Sequence, residues 1–488
     1  MYNDQVRFRD CPTMAQRRDF RLTKIICTLG PSSSSSEMIE KLANAGMNVA
    51  RLNMSHGDHE SHLLAIRRIR SLNRSLNHPI AILLDLKGPE IRTGEVREQL
   101  HLQVGEVYTV TPMPSTNPEE QSIHIDYQDM LSHLKVGDRI TVDNGLINLE
   151  VLEVRTHDLR CLVLDGGKLG SRKHINLPGV RVNLPSIPEK DKADIRFGVE
   201  HDVDFIALSF VRNAEAVLEA RKVIDDAGGH HAKIISKIEN QEGIENFDSI
   251  LEASDGIMVA RGDLGVEVPF TELPVMQREI TRKCVLVGKP VIVATHLLES
   301  MIQAPMPTRA EVSDVANVVY EEADAVMLSG ETASGKHPVR CVQVLDKIVR
   351  RMEKERSIGT SLERKSATTL EELARSACRI ADAMDAPAIL VFTRRGSLGQ
   401  LVASFRPKRA IIYAFTNMST TRRKLWLNRS VVPFKMDFSS DPEKTISAAL
   451  DRLRKRSRVL AGDQIVVVSD VAAGDSRVSA LQVRRFEG

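Results

Sequence analysis

The stretch Ala232-Lys233-Ile234-Ile235-Ser236-Lys237-Ile238-Glu239-Asn240 is an apolar run that ends in charge. Gly256-Ile257-Met258-Val259-Ala260-Arg261-Gly262-Asp263 repeats the pattern close behind it. On a strand, residues two apart share a face, so Lys237 and Glu239 point into one site while Ile238 packs on the other side. Asp263 is expected to end the next strand. A lysine and two carboxylates at neighbouring strand ends suit a divalent cation with a fixed positive charge beside it, and hence chemistry on an anionic, phosphorylated substrate. A lone Lys-x-Glu at a strand end is ordinarily a buried ion pair. Here Gly262 and Gly265 flank Asp263, which lets the backbone approach a ligand and turns amides toward an anion as a helix begins. A structural ion pair needs neither.

Working outward, eight short runs of this kind recur, at residues 23–30, 48–55, 80–87, 203–210, 232–239, 256–263, 289–296 and 325–332, each followed by helical periodicity. Near-continuous apolar strands alternating with helices imply a parallel sheet, and eight units imply a closed (β/α)8 TIM barrel with its active site at the C-terminal strand ends. The interval after the third run alternates like strands (Val107-Tyr108-Thr109-Val110, Arg139-Ile140-Thr141-Val142) and carries the turn signal Asp143-Asn144-Gly145. It reads as a small β domain inserted at residues 89–185, hinged at Gly88-Pro89 and Leu184-Pro185 and able to close as a lid. The barrel then comprises residues 21–88 and 186–355. After a polar segment, strands at 388–393, 410–415 and 464–469 with helices between them predict a C-terminal α/β domain over residues 365–488. The basic arm at 1–20 also contains Asp4, Asp10 and Asp19 and lacks an apolar core, so it is expected to be disordered rather than a secretory signal.

The 488 residues exceed what one simple core organises, and 42% apolar with 27% charged residues is a globular composition. A formal net charge of +2 argues against nucleic acid as a partner, and no apolar run reaches membrane-spanning length. Six scattered cysteines without a CxxC pair (Cys11, Cys27, Cys161, Cys284, Cys341, Cys378) predict reduced core thiols in a cytoplasmic protein. The basic run Arg452, Arg454, Lys455, Arg456, Arg458 reads as a solvated helix face in preference to an anion or nucleic-acid site.

With barrel, lid and charge cluster assembled, the sequence closely resembles pyruvate kinase over about residues 21–488. The resemblance is carried by Asn48-Val49-Ala50-Arg51-Leu52-Asn53-Met54-Ser55-His56-Gly57, Lys87-Gly88-Pro89-Glu90-Ile91-Arg92-Thr93-Gly94, residues 236–240 and 255–265, and Pro307-Thr308-Arg309-Ala310-Glu311. The last of these also has the spacing of a helix capping box. The resemblance implies phosphoryl transfer from phosphoenolpyruvate to ADP, giving pyruvate and ATP in the last step of glycolysis. Such a transfer needs positioning and charge neutralisation more than covalent help.

By the same resemblance Glu239 and Asp263 hold Mg²⁺ (or Mn²⁺), Lys237 stabilises the phosphoryl group in flight and the developing enolate, and Arg51 bridges donor and acceptor phosphates. The amides of Gly262 and Asp263 bind the substrate carboxylate. Thr295, backed by Ser329 through water, matches the proton-delivery positions, although a lone threonine at a strand end is ordinarily just a satisfied hydroxyl. Asn53, Ser55, Asp85 and the carbonyl of Leu86 match a K⁺ site. Leu86 stands where many members carry Thr, and Glu90 is the residue type that accompanies K⁺ dependence. Asn53, His56, Arg92 and Lys173 match nucleotide-contacting positions. A homotetramer is implied, with Arg309 near a subunit interface.

Phe392-Thr393-Arg394-Arg395-Gly396-Ser397-Leu398 aligns with the loop that binds an effector phosphate in regulated members. Thr393, Arg394 and Gly396 fit that pattern, while Arg395, Ser397 and Leu398 depart from it. The later loop Asp470-Val471-Ala472-Ala473-Gly474-Asp475 lacks the Trp and Arg of sugar-bisphosphate-activated forms. A phosphorylated effector is therefore an expectation without an identity. Two other readings compete: a Mg²⁺-dependent lyase or aldolase on a related enolate-stabilising barrel, and an inactive homologue kept as a metabolite sensor. The lid and the Lys237–Arg51 pairing disfavour the first, and the retention of Lys237, Glu239 and Asp263 the second.

Overall fold

Eight parallel strands close into a barrel: Lys24–Thr28, Val49–Asn53, Ala81–Asp85, Phe205–Leu208, Lys233–Ile238, Gly256–Ala260, Val291–Ala294 and Ala325–Leu328, the last pairing back onto the first. Each lies within one of the eight runs read from the sequence. The structure, a computed structural model, describes residues 21–96, 98–112, 122–355, 357–473 and 476–487. The arm at 1–20 with Cys11, and Gly474-Asp475 of the late loop, lie outside the described residues.

Strand alternation sorts two cores. Ile235 faces the barrel interior with Ile26, Leu83, Met258 and Ile292, while Ile234 and Ile238 pack outward with Val217, Ala220 and Ile250 of the surrounding helices. The period of two then places Lys237 above Ile235 at the C-terminal mouth. One expectation is corrected here. The sixth strand stops at Ala260, and Asp263 lies inside a short helix, Arg261–Glu267, because the Arg-Gly-Asp-Leu-Gly run turns into helix at once.

Between the third and fourth barrel strands the chain forms a seven-stranded sheet, Ile91–Arg92, His174–Asn176, Arg139–Val142, Ile147–Val154, Leu159–Asp165, Val107–Pro112 and Ser122–Ile125 in spatial order. A Thr93–Ile125 bridge joins its edges, and Tyr108, Val110, Ile140, Leu149 and Cys161 fill it. Asp143 and Asn144 both take positive φ in the expected turn. At the entry hinge Gly88 has φ 79. A Cβ there would meet the Ser209 side chain at 2.7 Å, so no larger residue fits. Its amide donates to buried Asp191 at 2.9 Å, whose carboxyl burial pushes up to about 6. At the exit hinge Arg212 donates to the carbonyls of Val182 and Leu184.

The C-terminal domain is a five-stranded sheet in the order Val431–Lys435, Ile411–Thr416, Ala388–Phe392, Gln464–Ala473, Ser476–Arg485. Residues 470–473 therefore continue a strand rather than form a loop, and two strands, Val431–Lys435 and Ser476–Arg485, are additional to those read from the sequence. Arg452, Arg454 and Lys455 are exposed at the end of the helix Pro442–Arg454, as a solvated face predicts, whereas Arg456 and Arg458 lie half-buried beyond the helix, Arg456 over the Phe434 ring at 5.1 Å. The five described cysteines are free and buried.

Two buried ion pairs fix this domain to the N-terminal ends of the barrel strands. Arg406 embraces Asp324, just before the eighth strand, at 2.6 and 2.5 Å. Arg423 reaches Asp204, just before the fourth, at 2.7 Å. Asp324 also accepts the amides of Arg429 and Val291. Asp324→Ala would strand the Arg406 charge with no partner in the interior, and the expected loss of stability is roughly 3–5 kcal/mol, read as a lowered urea midpoint at unchanged m-value. A loss below about 1 kcal/mol would mean that the pair behaves as a surface contact.

Candidate active site

At the barrel mouth four charged side chains interlock. Lys237 Nζ lies 2.9 Å from Glu239 Oε1 and 3.3 Å from Asp85 Oδ1, and donates to Ser209 Oγ at 2.6 Å. Arg51 Nε donates to the other Asp85 oxygen at 2.6 Å, and its Nη1 donates to Thr28 Oγ1 at 3.0 Å. Strand register brings them together: Arg51 pairs with Leu83, two residues before Asp85, and Lys237 is the penultimate residue of the fifth strand. Burial opposes charge on Lys237, Asp85 and Glu239. For Lys237 the attraction of Asp85 and Glu239 more than offsets it, and the ammonium is held above its ordinary range. Arg51 and Lys237 likewise hold Asp85 below the usual carboxylate range against its burial. For Glu239 burial prevails and pushes the carboxyl up, with Lys237 pulling the other way.

Glu239 is oriented from behind. Its Oε2 accepts the amide of Phe210 at 2.7 Å, and Phe210 takes φ 53, so the turn after the fourth strand is bent to aim that amide. Glu239 Oε1 and Asp85 Oδ1 are buried and have no hydrogen-bond partner beyond the Lys237 ion pair. Asp263 stands nearby with its side chain one-third exposed, and His174 of the lid lies 4.0 Å from it. Three carboxylates thus share two cations, and two buried anionic oxygens are left with unfilled lone pairs. That donor set fits a hard cation. Among the described residues no group of three or more His, Cys, Asp or Glu forms a complete metal cage, so a cation here draws its remaining ligands from substrate and water, as Mg²⁺ commonly does.

Thr295 has φ 66. Its hydroxyl accepts the amide of Gly262 at 2.8 Å and donates to Ala294 O at 2.7 Å. The Gly262 amide, read from the sequence as free to meet a ligand, is therefore taken up by Thr295. Arg261 holds the Thr295 carbonyl at 2.6 Å and pairs with Asp314 at 2.7 Å. Ser329 Oγ is buried without a partner, and its amide donates to Glu331 at 2.7 Å.

Asn53 Oδ1 accepts the Ser55 amide at 3.2 Å, and Leu86 O accepts Ser209 Oγ at 2.7 Å. Ser209 therefore links the carbonyl of Leu86 to Lys237. Glu90 is gripped by Arg92 at 2.6 Å and approached by Lys87 at 3.4 Å, and Lys173 pairs with Asp143 at 2.8 Å. Two of the expected nucleotide contacts are thus engaged within the lid, while the His56 side chain is exposed. Thr308 and Glu311 form the capping box. Sequence reasoning missed Ser209, Phe210, Thr28, His174 and Arg261. For Ser209 and Phe210 the signal was present, since they close a predicted barrel strand.

In the C-terminal domain Gly396 takes φ 94, and its amide donates to Thr393 Oγ1 at 3.0 Å. Ser397 begins the helix Ser397–Ser404. Arg394 and Arg395 are exposed.

Residues 20–342 match the family described as Pyruvate kinase, barrel domain, and residues 371–483 match Pyruvate kinase, alpha/beta domain. The chain is 44% identical over 474 residues to plastidial pyruvate kinase 3 of Arabidopsis thaliana, covering 96% of this chain and 82% of that protein. It is 43% identical to the pyruvate kinase of Geobacillus stearothermophilus (93% and 78% covered) and 40% identical to that of Clostridium acetobutylicum (94% and 99% covered).

Proposed function

The chain belongs to the pyruvate kinase family and is a phosphotransferase of that reaction, and on this premise we propose that its catalytic centre is the Arg51–Asp85–Lys237–Glu239 network with Asp263 and Thr295. The observation that carries the assignment is a buried lysine 2.9 and 3.3 Å from two carboxylates, each of which keeps a buried oxygen without a hydrogen bond at the mouth. Phosphoenolpyruvate and ADP are the substrates that the family implies.

Glu239 and Asp263 would hold Mg²⁺, which would supply charge neutralisation at the transferring phosphoryl group. Lys237 stabilises the charge that builds on the phosphoryl oxygens and the enolate oxygen. Its partners fix the ammonium before substrate arrives, so little reorganisation accompanies transfer. Arg51 orients the two phosphate chains, with Asp85 and Thr28 setting its angle. Thr295 hands a proton to the enolate carbon by turning its hydroxyl from Ala294 O and takes one back from solvent water, relayed by the unpartnered hydroxyl of Ser329, which gives one proton and receives another. The Asp263 amide is left to meet the substrate carboxylate. His56, Arg92 and Lys173, with Asn53, receive the nucleotide; Arg92 and Lys173 exchange their lid partners for its phosphates. The exposed pair Arg394 and Arg395, with Thr393, Gly396 and Ser397, supports an effector-phosphate loop. Exposed Phe270, Val275 and Met306 support a homotetramer. Free buried cysteines support a reducing, cytoplasmic setting; no helix among the described residues is long and apolar enough to cross a membrane.

The test is pyruvate formation from phosphoenolpyruvate and ADP, with and without Mg²⁺ and K⁺. Absence of turnover under all four conditions would overturn the assignment. K⁺ is assigned to Asn53, Ser55, Asp85 and the Leu86 carbonyl, which supply hard oxygens beside the phosphoryl site. Glu90→Lys should put a tethered ammonium close by and make activity largely independent of K⁺, at some loss of maximal rate because Arg92 and Lys87 lose their partner. The comparison is activity in potassium against tetramethylammonium salt at equal ionic strength. Equal wild-type rates in the two salts would remove the cation from this site.

A further inference from the structure

A cavity of about 790 Å³ lies between the end of the barrel's last helix, Pro338–Met352, and the first helix of the C-terminal domain, Thr369–Ala383. It sits beside the start of the eighth strand, at the opposite end of the barrel from Lys237, and is distinct from the Thr393–Ser397 loop. That loop contributes instead to a separate cavity with Lys233 and Lys424.

The lining is unbalanced. Eight arginines and lysines face four carboxylates, and those four are already engaged: Glu322 by Ser357 and Ser361, Glu353 by the Leu22 and Thr23 amides, Glu355 by Arg351, and Asp382 by the Lys408 amide. Five of the cations are paired as well, Arg364 with Glu371, Arg375 with Glu372, Arg406 with Asp324, Arg409 with Asp385 and Arg429 with Glu353, so the uncompensated charge is that of the other three. Lys354, Arg379 and Lys408 have no ion pair among the described residues. Arg375 and Arg406 each keep a buried Nε without an acceptor. Arg375 and Arg379 are four apart on one helix and so share a face, and Lys408 follows from the next helix–strand connection. Like charges converging on one concave space repel one another, and buried donors without acceptors add to that cost. Both are relieved by an anion with several acceptor oxygens. Ile358 and Leu362, 48% and 73% exposed, line the same space and offer an apolar wall to the rest of a ligand. The volume suits a small metabolite.

We propose that this cavity binds a phosphate monoester of metabolite size, its phosphate held by Arg375, Arg379 and Lys408 and its body against Ile358 and Leu362. Because the lining comes from both domains, the ligand ties the C-terminal domain to the barrel and raises the temperature at which the protein unfolds.

The experiment titrates inorganic phosphate and, separately, glycerol 1-phosphate into the whole protein by calorimetry at constant ionic strength, with melting followed in parallel. Arg379 and Lys408 are exposed and form no close salt bridge, acting only at longer range on Glu372 and Asp382, so Arg379→Ala/Lys408→Ala should melt close to wild type without ligand. It should bind either probe at least roughly tenfold more weakly, the loss expected for a charge-assisted contact, and lose the ligand-induced rise in melting temperature. Arg394→Ala/Arg395→Ala should keep both. Tighter binding of the ester than of free phosphate marks the apolar wall as part of the site, and equal binding marks phosphate itself as the ligand. No binding by wild type, or binding that the Arg379→Ala/Lys408→Ala pair leaves unchanged, overturns the proposal. Should that pair fail to melt cooperatively, Lys408→Ala alone is read against the same criteria.

Discussion

Lys237→Met is expected to lower kcat by roughly 10²–10³-fold or more while the KM for phosphoenolpyruvate moves only a few-fold. The argument rests on when the charge is needed. In the ground state the substrate's negative charge is shared with metal and arginine, and one more ammonium changes its affinity little. During transfer, charge accumulates on the phosphoryl oxygens and then on the enolate oxygen, and Lys237 is already fixed by Asp85, Glu239 and Ser209. Methionine keeps an unbranched side chain one atom shorter and removes the ammonium together with its hydrogen bond to Ser209. The measurement is a coupled assay of pyruvate formation, with melting checked because the substitution leaves two buried carboxylates short of a partner. A variant within a few-fold of wild-type kcat would take Lys237 out of the mechanism.

The charged centre was legible because its parts obey local periodicity. Ile235 and Lys237 alternate on one strand, with Glu239 continuing the alternation just past its end, and each apolar run closes in a polar or glycine-rich cluster, so both the sheet and its working end could be read without knowing any contact. What escaped depends on register between elements distant in sequence. Arg261 reaches the Thr295 carbonyl because Ala260 pairs with Ala294 across neighbouring strands, and no feature of either segment alone encodes that pairing. The turn at Phe210 is similar: its positive φ is set by the amide it delivers to Glu239.

In the C-terminal domain the missed strands have physical reasons. Val431–Lys435 contains Pro433, which argues against a central strand, and the segment lies at the edge of the sheet, where a missing donor is tolerated. Ser476–Arg485 mixes arginines with apolar residues and is the opposite edge, so it lacks the continuous apolar run by which the buried strands were found. The misreading of Asp263 as a strand end has another cause. A glycine-flanked acidic residue fits both a strand end and a first helical turn, and only the following Leu264, packed in the barrel's outer core, decides for helix.

Glu239→Gln and Asp263→Asn are each expected to raise the Mg²⁺ concentration for half-maximal activity by roughly tenfold to a hundredfold, a range that even the outer-shell partners of a metal command. Both substitutions keep side-chain size, so packing is preserved and the lost quantity is anionic charge on an oxygen facing a hard cation. The effects should differ in kind. Glu239 is buried, its second oxygen accepts the Phe210 amide, and it neutralises Lys237, so Glu239→Gln also disturbs the resting network and lowers kcat at saturating metal. Asp263 is one-third exposed, its nearest ion-pair partner being His174 at 4.0 Å, so Asp263→Asn should act mainly on metal affinity and recover more of its rate at high Mg²⁺. Binding of Mn²⁺ followed by electron paramagnetic resonance reads the same affinities without turnover. Unchanged binding in both variants would place the cation elsewhere. Asp85 Oδ1, the other buried oxygen without a hydrogen bond, would then be the next ligand to replace.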